Sequence, residues 1–212
     1  CTASLITSEL GVNITQAVDY LLGDSSREVA NGGPLRDRTS ALGDIINSTP
    51  VVVSPLNDHG YRMLRDSGGN YDYLDYAGYL ASKASGSGPP AMVYAGANYG
   101  MLHAFHGETG VEQFAYVPAT ARGHMGNLLF PFVDDEVGQV FEHRYYVDGP
   151  ITVSDTYYGG ALHSTLVGTA GAGGRSVFAI YVTDPTTFSA TSGRWEINDQ
   201  HANATVRNNI GH

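Results

Sequence analysis

The chain has 212 residues, enough for one domain or part of a larger one, and a formal net charge of −10. Glycine accounts for 27 residues, well above the usual share of about 7%. The hydrophobic share of 42% suffices for a buried core and argues against disorder. An acidic chain without a basic cluster argues against nucleic acid binding. No apolar run approaches the roughly 20 residues of a membrane-spanning helix. The composition therefore indicates a glycine- and tyrosine-rich β protein.

The only cysteine stands at position 1. A single thiol can form neither an internal disulfide nor a cysteine zinc site. A mature N-terminal cysteine is a candidate for lipidation. We favour a chain cut from a longer parent, because the sequence has neither an initiator methionine nor a signal peptide.

The first 90 residues predict two helices and one short strand, joined by long connections. Apolar residues recur at helical spacing from Ile14 to Leu22, and Gly23 ends this first helix. A short buried strand is predicted at Val51 to Val53, and Ser85 to Pro90 forms a surface connector. The second helix is predicted over Tyr71 to Ala81. Its predicted apolar face consists of Tyr73, Tyr76, Ala77 and Leu80.

From Ala91 onward the pattern changes to short strands separated by glycine-containing turns. The predicted strands are residues 91–97, 101–106, 111–117, 143–147, 151–156, 163–169, 176–182 and 194–197. The first three follow one another as an antiparallel meander. An irregular insert runs from Pro118 to about Glu142.

The strand region contains an imperfect internal repeat at a spacing of about 72 residues, longer than that of common propeller blades. The stretches that correspond are Val93–Gly96 with Leu166–Gly168, and Leu102–Phe105 with Val177–Ile180. Each copy then reaches a glycine and an aromatic residue, Gly110 with Phe114 and Gly193 with Trp195. Repeated units of short strands with glycine at the turns are typical of a β-propeller, if residues 118–142 are an insertion.

Five ordered motifs lie between residues 36 and 197. They are Arg36-Asp37-Arg38 leading to Leu42–Val51, then Val93–Phe105, Phe114–Pro118, His143–Gly149, and Gly171–Arg175 with Thr183-Asp184-Pro185. Together they resemble the C-terminal propeller of the PilC/PilY-type type IV pilus-tip adhesins and biogenesis factors. Tyr99 departs from the pattern, since the resemblance leads us to expect Asp in an Asn-Asp-Gly turn.

The resemblance implies a non-enzymatic, secreted protein at the pilus tip on the bacterial surface. Its implied roles are pilus assembly, retraction control and surface attachment. The implied partners are minor pilins and the pilus tip complex, together with a host or abiotic surface. The resemblance also implies a calcium site, which we expect outside this segment because no alternating-Asp loop is visible.

The fold expected from the resemblance is all-β, with β-propeller-like antiparallel blades and short helical insertions. A closed propeller needs at least about four blades of four strands, and this chain supplies two or three, so we expect an incomplete propeller. We predict a helical and loop lead-in over residues 1–35 and a partial propeller over 36–212. Within the propeller, insertions are expected at about residues 57–90 and 118–142.

The candidate chemical sites have simpler structural interpretations. His103 and His106 point to opposite faces of a strand, so they cannot chelate one metal. Carboxylates cluster at residues 134–136 (Asp-Asp-Glu) and in a second group made of Asp66, Asn70, Asp72 and Asp75. The second group lacks the central glycine of a calcium loop. Gly168–Gly174 precedes a strand and has no lysine, which favours a hairpin turn over a phosphate loop. We therefore predict no catalytic, cofactor-binding or metal-binding residue.

Four tyrosines crowd into a short stretch, too many for one helix face to bury. They are Tyr71, Tyr73, Tyr76 and Tyr79. Some of their hydroxyls should be exposed, as at protein-binding surfaces, where tyrosine is enriched. The simpler alternative is a helix packed on the propeller edge with its hydroxyls in water.

Two other functions compete with the adhesin. A quinoprotein-like propeller dehydrogenase is the first, because several residues also fit that family's blade pattern. These residues are Tyr94, Gly96, Gly100, Ala104, Thr109 and Gly110. The single cysteine and the single tryptophan argue against it. The second alternative is a purely structural module that docks minor pilins.

Overall fold

The computed structural model describes residues 10–131 and 140–210. The first sheet contains β1 (Val51–Val53), β2 (Met92–Ala97), β3 (Met101–His106) and β4 (Glu112–Tyr116). The second sheet contains β5 (Ile151–Tyr158), β6 (Ala161–Thr169), β7 (Ser176–Tyr181) and β8 (Gly193–Asn198). Strands within each sheet lie in chain order, and neighbours are antiparallel. We call the two sheets blade 1 and blade 2. The predicted antiparallel arrangement of the strands is confirmed, and the structure groups them into two sheets of four strands each.

Short helices lie outside the blades. They are α1 (Ile14–Leu21), α2 (Tyr76–Lys83), α3 (Ala119–Arg122) and α4 (Ala204–Asn209). The predicted start of α1 is confirmed, because Asn13 and Gln16 exchange side-chain to backbone hydrogen bonds of 2.9 Å. In the part of the chain that the structure describes, no helix has the length and apolarity needed to cross a bilayer.

The second predicted helix begins five residues later than expected. Asp72 and Asp75 adopt a φ of +53°, which interrupts the helical backbone before Tyr76. The Asp72 carboxylate then accepts a hydrogen bond of 2.7 Å from the Tyr76 N–H. Local side-chain bonding of this kind competes with helix formation, so residues 71–75 form turns instead of a first helical turn.

The two blades face each other across the main hydrophobic core. Blade 1 contributes Tyr94 and Leu102, and blade 2 contributes Leu166, Phe178 and Ile180, all at most 1% exposed. A second cluster joins the lead-in to the insert between the blades. Its buried members are Leu10, Val12, Ala17, Tyr20, Leu35, Leu129 and Phe130. The lead-in is therefore packed against the insert.

The internal repeat predicted from the sequence is present in the pairing of the strands. Ala104 lies opposite Phe114 in blade 1, and Ala179 lies opposite Trp195 in blade 2. In both blades the register shifts immediately after this alanine. The two copies thus share a β-bulge at the same place, which supports equating their strands one by one.

Helix α2 belongs to the insertion between β1 and β2, yet it packs on blade 2. The Lys83 Nζ lies 3.0 and 2.9 Å from the two carboxylate oxygens of Asp155 on β5. Asp155 also accepts hydrogen bonds of 2.7 Å from the hydroxyls of Tyr76 and Ser164. Both charged residues are buried, at 6% and 2% exposed. The insertion therefore ties blade 1 to blade 2 through a fully hydrogen-bonded carboxylate.

Replacing Lys83 should destabilise the protein strongly. Lys83→Met leaves the Asp155 carboxylate buried without its cation, and we expect the free energy of unfolding to fall by about 3–5 kcal/mol. The double variant Lys83→Met/Asp155→Asn should recover most of this loss, because the buried charge is gone and the acceptor for Tyr76 remains. Urea unfolding followed by circular dichroism measures both.

The exposed ion pair of Arg62 and Asp58 supplies the matched control. Arg62→Met should leave the urea midpoint nearly unchanged, since solvent screens this pair. A Lys83→Met variant as stable as Arg62→Met would contradict the proposed role of the buried pair.

Candidate functional site

Three of the motifs that carry the family resemblance meet where β1 and β5 begin. We call this place the inter-blade seam, and it consists of Asp44, Asn47, Ser48, Asn98, Tyr146 and Asp148. Asp148 is 1% exposed and accepts hydrogen bonds from Asn47, at 3.1 Å from the backbone N–H and 2.6 Å from the side-chain amide. Asn98 accepts a hydrogen bond of 3.0 Å from the Tyr146 N–H. Its own amide donates to Asp44 and Asp148, at 3.3 and 3.5 Å.

Two glycines allow the backbone segments of the seam to approach one another. A Cβ on Gly96 would lie 2.2 Å from the carbonyl oxygen of Val147, and the Gly96 N–H donates to the Ser48 hydroxyl at 2.9 Å. A Cβ on Gly149 would lie 2.0 Å from Oγ1 of Thr169. Any side chain at either position would push the segment before β5 away from the blades.

The same contacts explain why residues 143–147 form no strand, contrary to the prediction. Their aromatic and β-branched residues favour a strand. However, the Tyr146 N–H is bonded to the Asn98 side chain, and the Asp148 N–H is bonded to the carbonyl of Ala170 at 3.1 Å. These two N–H groups are therefore bonded within and beside the seam and are not available to a neighbouring strand.

The edge of the seam carries a titratable contact between Asp44 and His143. The His143 Nε2 lies 2.9 Å from Oδ2 of Asp44, and both side chains are partly exposed. Burial alone would raise the pKa of Asp44, but the hydrogen bonds from His143 and Asn98 outweigh burial and lower it.

Tyr99, which departs from the family pattern, contacts a buried cation. The guanidinium of Arg36 lies 4.8 Å from the Tyr99 ring centre and 4.0 Å from that of Phe141. Its Nε donates to the carbonyl of Leu128 at 3.0 Å. Tyr99 thus has a packing role, in which its ring helps to hold the Arg36 motif against the insert.

The four predicted tyrosines split into a buried pair and an exposed pair. Tyr76 is 0% exposed, and its burial raises the pKa of its hydroxyl. Tyr79 is half-buried, with its hydroxyl 3.0 Å from that of Ser164. Tyr71 and Tyr73 are each 51% exposed. Tyr76 and Tyr79 therefore pack α2 on blade 2, and only the other two lie on an accessible surface, whose binding role stays a prediction.

Five large apolar side chains are exposed on the insertion between β1 and β2, and two of them are these tyrosines. We call this set the insertion surface, and its members are Leu56, Met63, Leu64, Tyr71 and Tyr73. Three pairs of residues hold this segment in place. They are Arg62 with Asp58, Asp66 with Asn70, and Arg65 with the Tyr71 ring. A segment with its own polar contacts that still exposes large apolar side chains is a candidate for binding another protein.

The remaining predicted motifs form separate structural contacts. His103 lies 2.6 Å from Glu112, whereas His106 accepts from backbone N–H groups in the following turn. Asp66 bonds to Asn70, and residues 134–136 lie outside the described ranges. Among the described residues, no three His, Cys, Asp or Glu side chains are grouped as metal ligands. The Gly168–Gly174 run joins β6 to β7, which confirms the hairpin turn.

The sequence motifs for catalytic, metal and phosphate sites do not point to the seam. Its hydrogen-bonded residues are separated by up to 101 positions, and neither their spacing nor their charge marks them as a group. The sequence marks the seam residues in one way only: each of them lies inside one of the family motifs. The structure brings three of these motifs together.

Replacing Gly96 by alanine tests the close approach in the seam. The new Cβ would collide with a backbone oxygen that cannot rotate away, and we expect Gly96→Ala to lower the free energy of unfolding by about 3 kcal/mol. Gly86→Ala is the control, because its Cβ would meet no atom within 4 Å. Equal urea midpoints for the two variants would rule out the tight contact.

Acid should weaken the seam through Asp44. Its pKa is lower in the folded than in the unfolded protein, so its contribution is present above the unfolded pKa and is lost as the pH falls through the folded pKa. The stability difference between the wild type and Asp44→Asn should therefore shrink as the pH falls below about 4. Urea unfolding at a series of pH values measures this, and a difference that is independent of pH would refute it.

Comparison of the whole chain with known proteins identifies one family. The family model of the PilY1 beta-propeller domain matches residues 42–211. A type IV pilus biogenesis factor PilY1 homolog of Xylella fastidiosa is 39% identical over 92% of this chain and 13% of its own length. The factor PilY1 of Pseudomonas aeruginosa strain UCBPP-PA14 is 37% identical over 80% of this chain and 13% of its own length.

A solved structure is also similar in sequence. The crystal structure of the Pseudomonas aeruginosa PilY1 C-terminal domain is 35% identical, covers 52% of this chain and 18% of that chain, and has a TM-score of 0.37. The relatives are named as pilus biogenesis factors, which favours the pilus family over the quinoprotein enzymes. The resemblance found in the motifs is confirmed, and the chain belongs to the PilY1 beta-propeller domain family.

Proposed function

We propose that this chain is the propeller segment of a type IV pilus biogenesis factor that acts without catalysis. In this proposal the full protein works at the pilus tip, outside the cell, in pilus assembly, retraction control and surface attachment. The observation that carries the proposal is the family match over residues 42–211. The chain spans 13% of the length of the relatives compared above, so their naming supports the role of a whole protein of which this segment is a part.

The insertion surface is the best candidate for contact with a partner. It exposes large apolar side chains, including Leu56 at 71% and Met63 at 70%. The helix that follows it is fixed to blade 2 by the buried contact between Lys83 and Asp155. A rigid support beneath exposed apolar side chains favours recognition of another protein, because little conformational entropy is lost on binding. We therefore assign minor pilins of the tip complex as its partners, with a host or abiotic surface as a second target.

The test replaces the exposed tyrosines in the full-length protein, in the bacterium that produces it. Tyr71→Ser/Tyr73→Ser should reduce attachment or piliation several-fold while the amount of the protein on the pilus stays unchanged. The control is Ile14→Ser/Val111→Ser, which removes two apolar side chains of similar exposure elsewhere. Pili counted by electron microscopy and cells retained on a surface are the two measurements.

The two readouts separate the alternatives. Fewer pili, with loss of minor pilins from a pull-down, would support the docking module. Normal pilus numbers with poor attachment would support the adhesin. Deletion of the whole gene without effect on piliation or attachment would refute the proposed function itself. Tyrosine variants that behave like the control would refute only the insertion surface.

A further inference from the structure

A cleft separates the end of helix α2 from the connection between β7 and β8. Ser82 and Lys83, in the last turn of α2, form one wall together with residues 87–90. Thr183 and Asp184 belong to the opposite wall. The cleft has a volume of about 270 Å³. Sites for whole small molecules measure about 300–1,000 Å³, so this cleft suits a single side chain better.

The carboxylate of Asp184 gives the cleft a charge that has no counterion among the described residues. Its Oδ1 accepts two hydrogen bonds from Thr186, at 3.0 Å from the backbone N–H and 2.6 Å from the hydroxyl. These bonds lower the pKa of Asp184, so the group is ionised at neutral pH. No described cation forms an ion pair with it, and its Oδ2 accepts no hydrogen bond from the described residues.

The lysine that lines the cleft does not offset this charge. Its Nζ pairs with the buried carboxylate of Asp155 at 2.9 Å and lies 4.7 Å from the centre of the Tyr79 ring. Lys83 and Asp155 therefore cancel each other, and the carboxylate of Asp184 sets the sign of the cleft. The whole chain adds to the negative potential, because its formal net charge is −10. A cationic ligand is favoured on these grounds, and an anionic one is disfavoured.

Two features of the backbone favour a cation in addition. The last turn of α2 carries the negative end of the helix dipole. In the segment that follows, Pro89 and Pro90 have no N–H group, and the Gly88 N–H donates to the carbonyl of Ser85 at 2.8 Å. Residues 88–90 therefore offer carbonyl oxygens to a ligand but no free backbone donor.

An ammonium group matches these acceptors better than a guanidinium or a sugar does. Arginine typically binds a carboxylate through both oxygens, but Oδ1 of Asp184 already accepts two bonds. A sugar would stack on an aromatic ring, yet the Tyr79 ring is already contacted by Lys83 and stacks on Tyr76. The compact ammonium of lysine has three rotatable donors, which can reach separate oxygens.

We propose that this cleft binds a lysine side chain of a partner protein, whose ammonium group donates to Oδ2 of Asp184 and to the carbonyl oxygens of residues 88–90. We call it the lysine cleft. It shares no residue with the insertion surface and recognises a charge where that surface offers apolar side chains. The two proposals can therefore fail separately.

Saturation-transfer NMR on the full-length protein tests the lysine cleft with two matched probes. Nα-acetyl-lysine methylamide carries the ammonium group, whereas its Nε-acetylated form is neutral. The charged probe should give a signal several-fold stronger than that of the neutral one. Asp184→Asn should remove this difference, because asparagine keeps an oxygen for the bonds from Thr186 but lacks the charge. Equal signals from the two probes on the wild type would overturn the proposal.

Matched variants separate the lysine cleft from general attraction to an acidic chain. Asp199→Asn, which removes an exposed acid outside the cleft, should leave the signal of the charged probe unchanged. Ser87→Lys places a tethered ammonium in the cleft without altering Asp184, and it should displace the probe. Ser67→Lys makes the same charge change at an exposed position of the insertion and should not. Equal effects of the two lysine variants, or of the two asparagine variants, would refute a specific site.

Carbodiimide cross-linking in intact cells of the bacterium that produces the full-length protein tests the partner. The reagent joins a carboxylate directly to a lysine in contact with it. Mass spectrometry should therefore find cross-links from Asp184 to a lysine of another protein several-fold more often than from Asp199, which is also exposed. Cross-links to other proteins that are no more frequent at Asp184 than at Asp199 would contradict the proposed partner contact.

Discussion

The arrangement of the two blades depends on one buried carboxylate and the close backbone contacts around it. Asp148 is almost fully buried and accepts hydrogen bonds from Asn47, in the segment that leads into β1. Asp148 itself lies just before β5. An unpaired buried carboxylate would be costly, so these partners have to be in place whenever the blades are packed. Gly96 lets the backbone before β5 lie directly on β2. The hydrophobic core drives the blades together without direction, whereas the seam defines their relative position.

The described contacts separate buried polar groups that stabilise the fold from exposed side chains that are available for binding. Asp148 of the seam and the pair of Lys83 with Asp155 are buried, and their contacts fix the blades and the helix α2. The insertion surface carries several large exposed side chains. Buried polar groups with complete hydrogen bonding favour one packing over its alternatives, so each exposed surface is held in a defined orientation.

Local features of the fold could be predicted from the sequence, and long-range features could not. The start of α1 follows from the reciprocal capping of Asn13 and Gln16, and most strands follow from short apolar runs between glycines. The segment 143–147 has the composition of a strand but forms none, because the Tyr146 N–H donates to the Asn98 side chain and the adjoining Asp148 N–H donates to the carbonyl of Ala170. The tyrosine set was predicted as a group, yet Tyr76 turned inward to reach Asp155, a residue 79 positions away. Neither Asn98 nor Asp155 could be inferred as a partner from spacing, since both contacts depend on how segments distant in the chain pack together.

That insertion also has a consequence for the way the chain folds. The contact of Lys83 with Asp155 closes a loop of 72 positions, and the contact of Asn47 with Asp148 closes one of 101. Contacts at such separations form late, because the entropy of loop closure is lost before they are made. During synthesis, blade 1 emerges from the ribosome before β5 has been made. The insertion can therefore pair Lys83 with Asp155 only after blade 2 has been synthesised. The two sheets are therefore expected to acquire and lose their structure together, as a single cooperative unit.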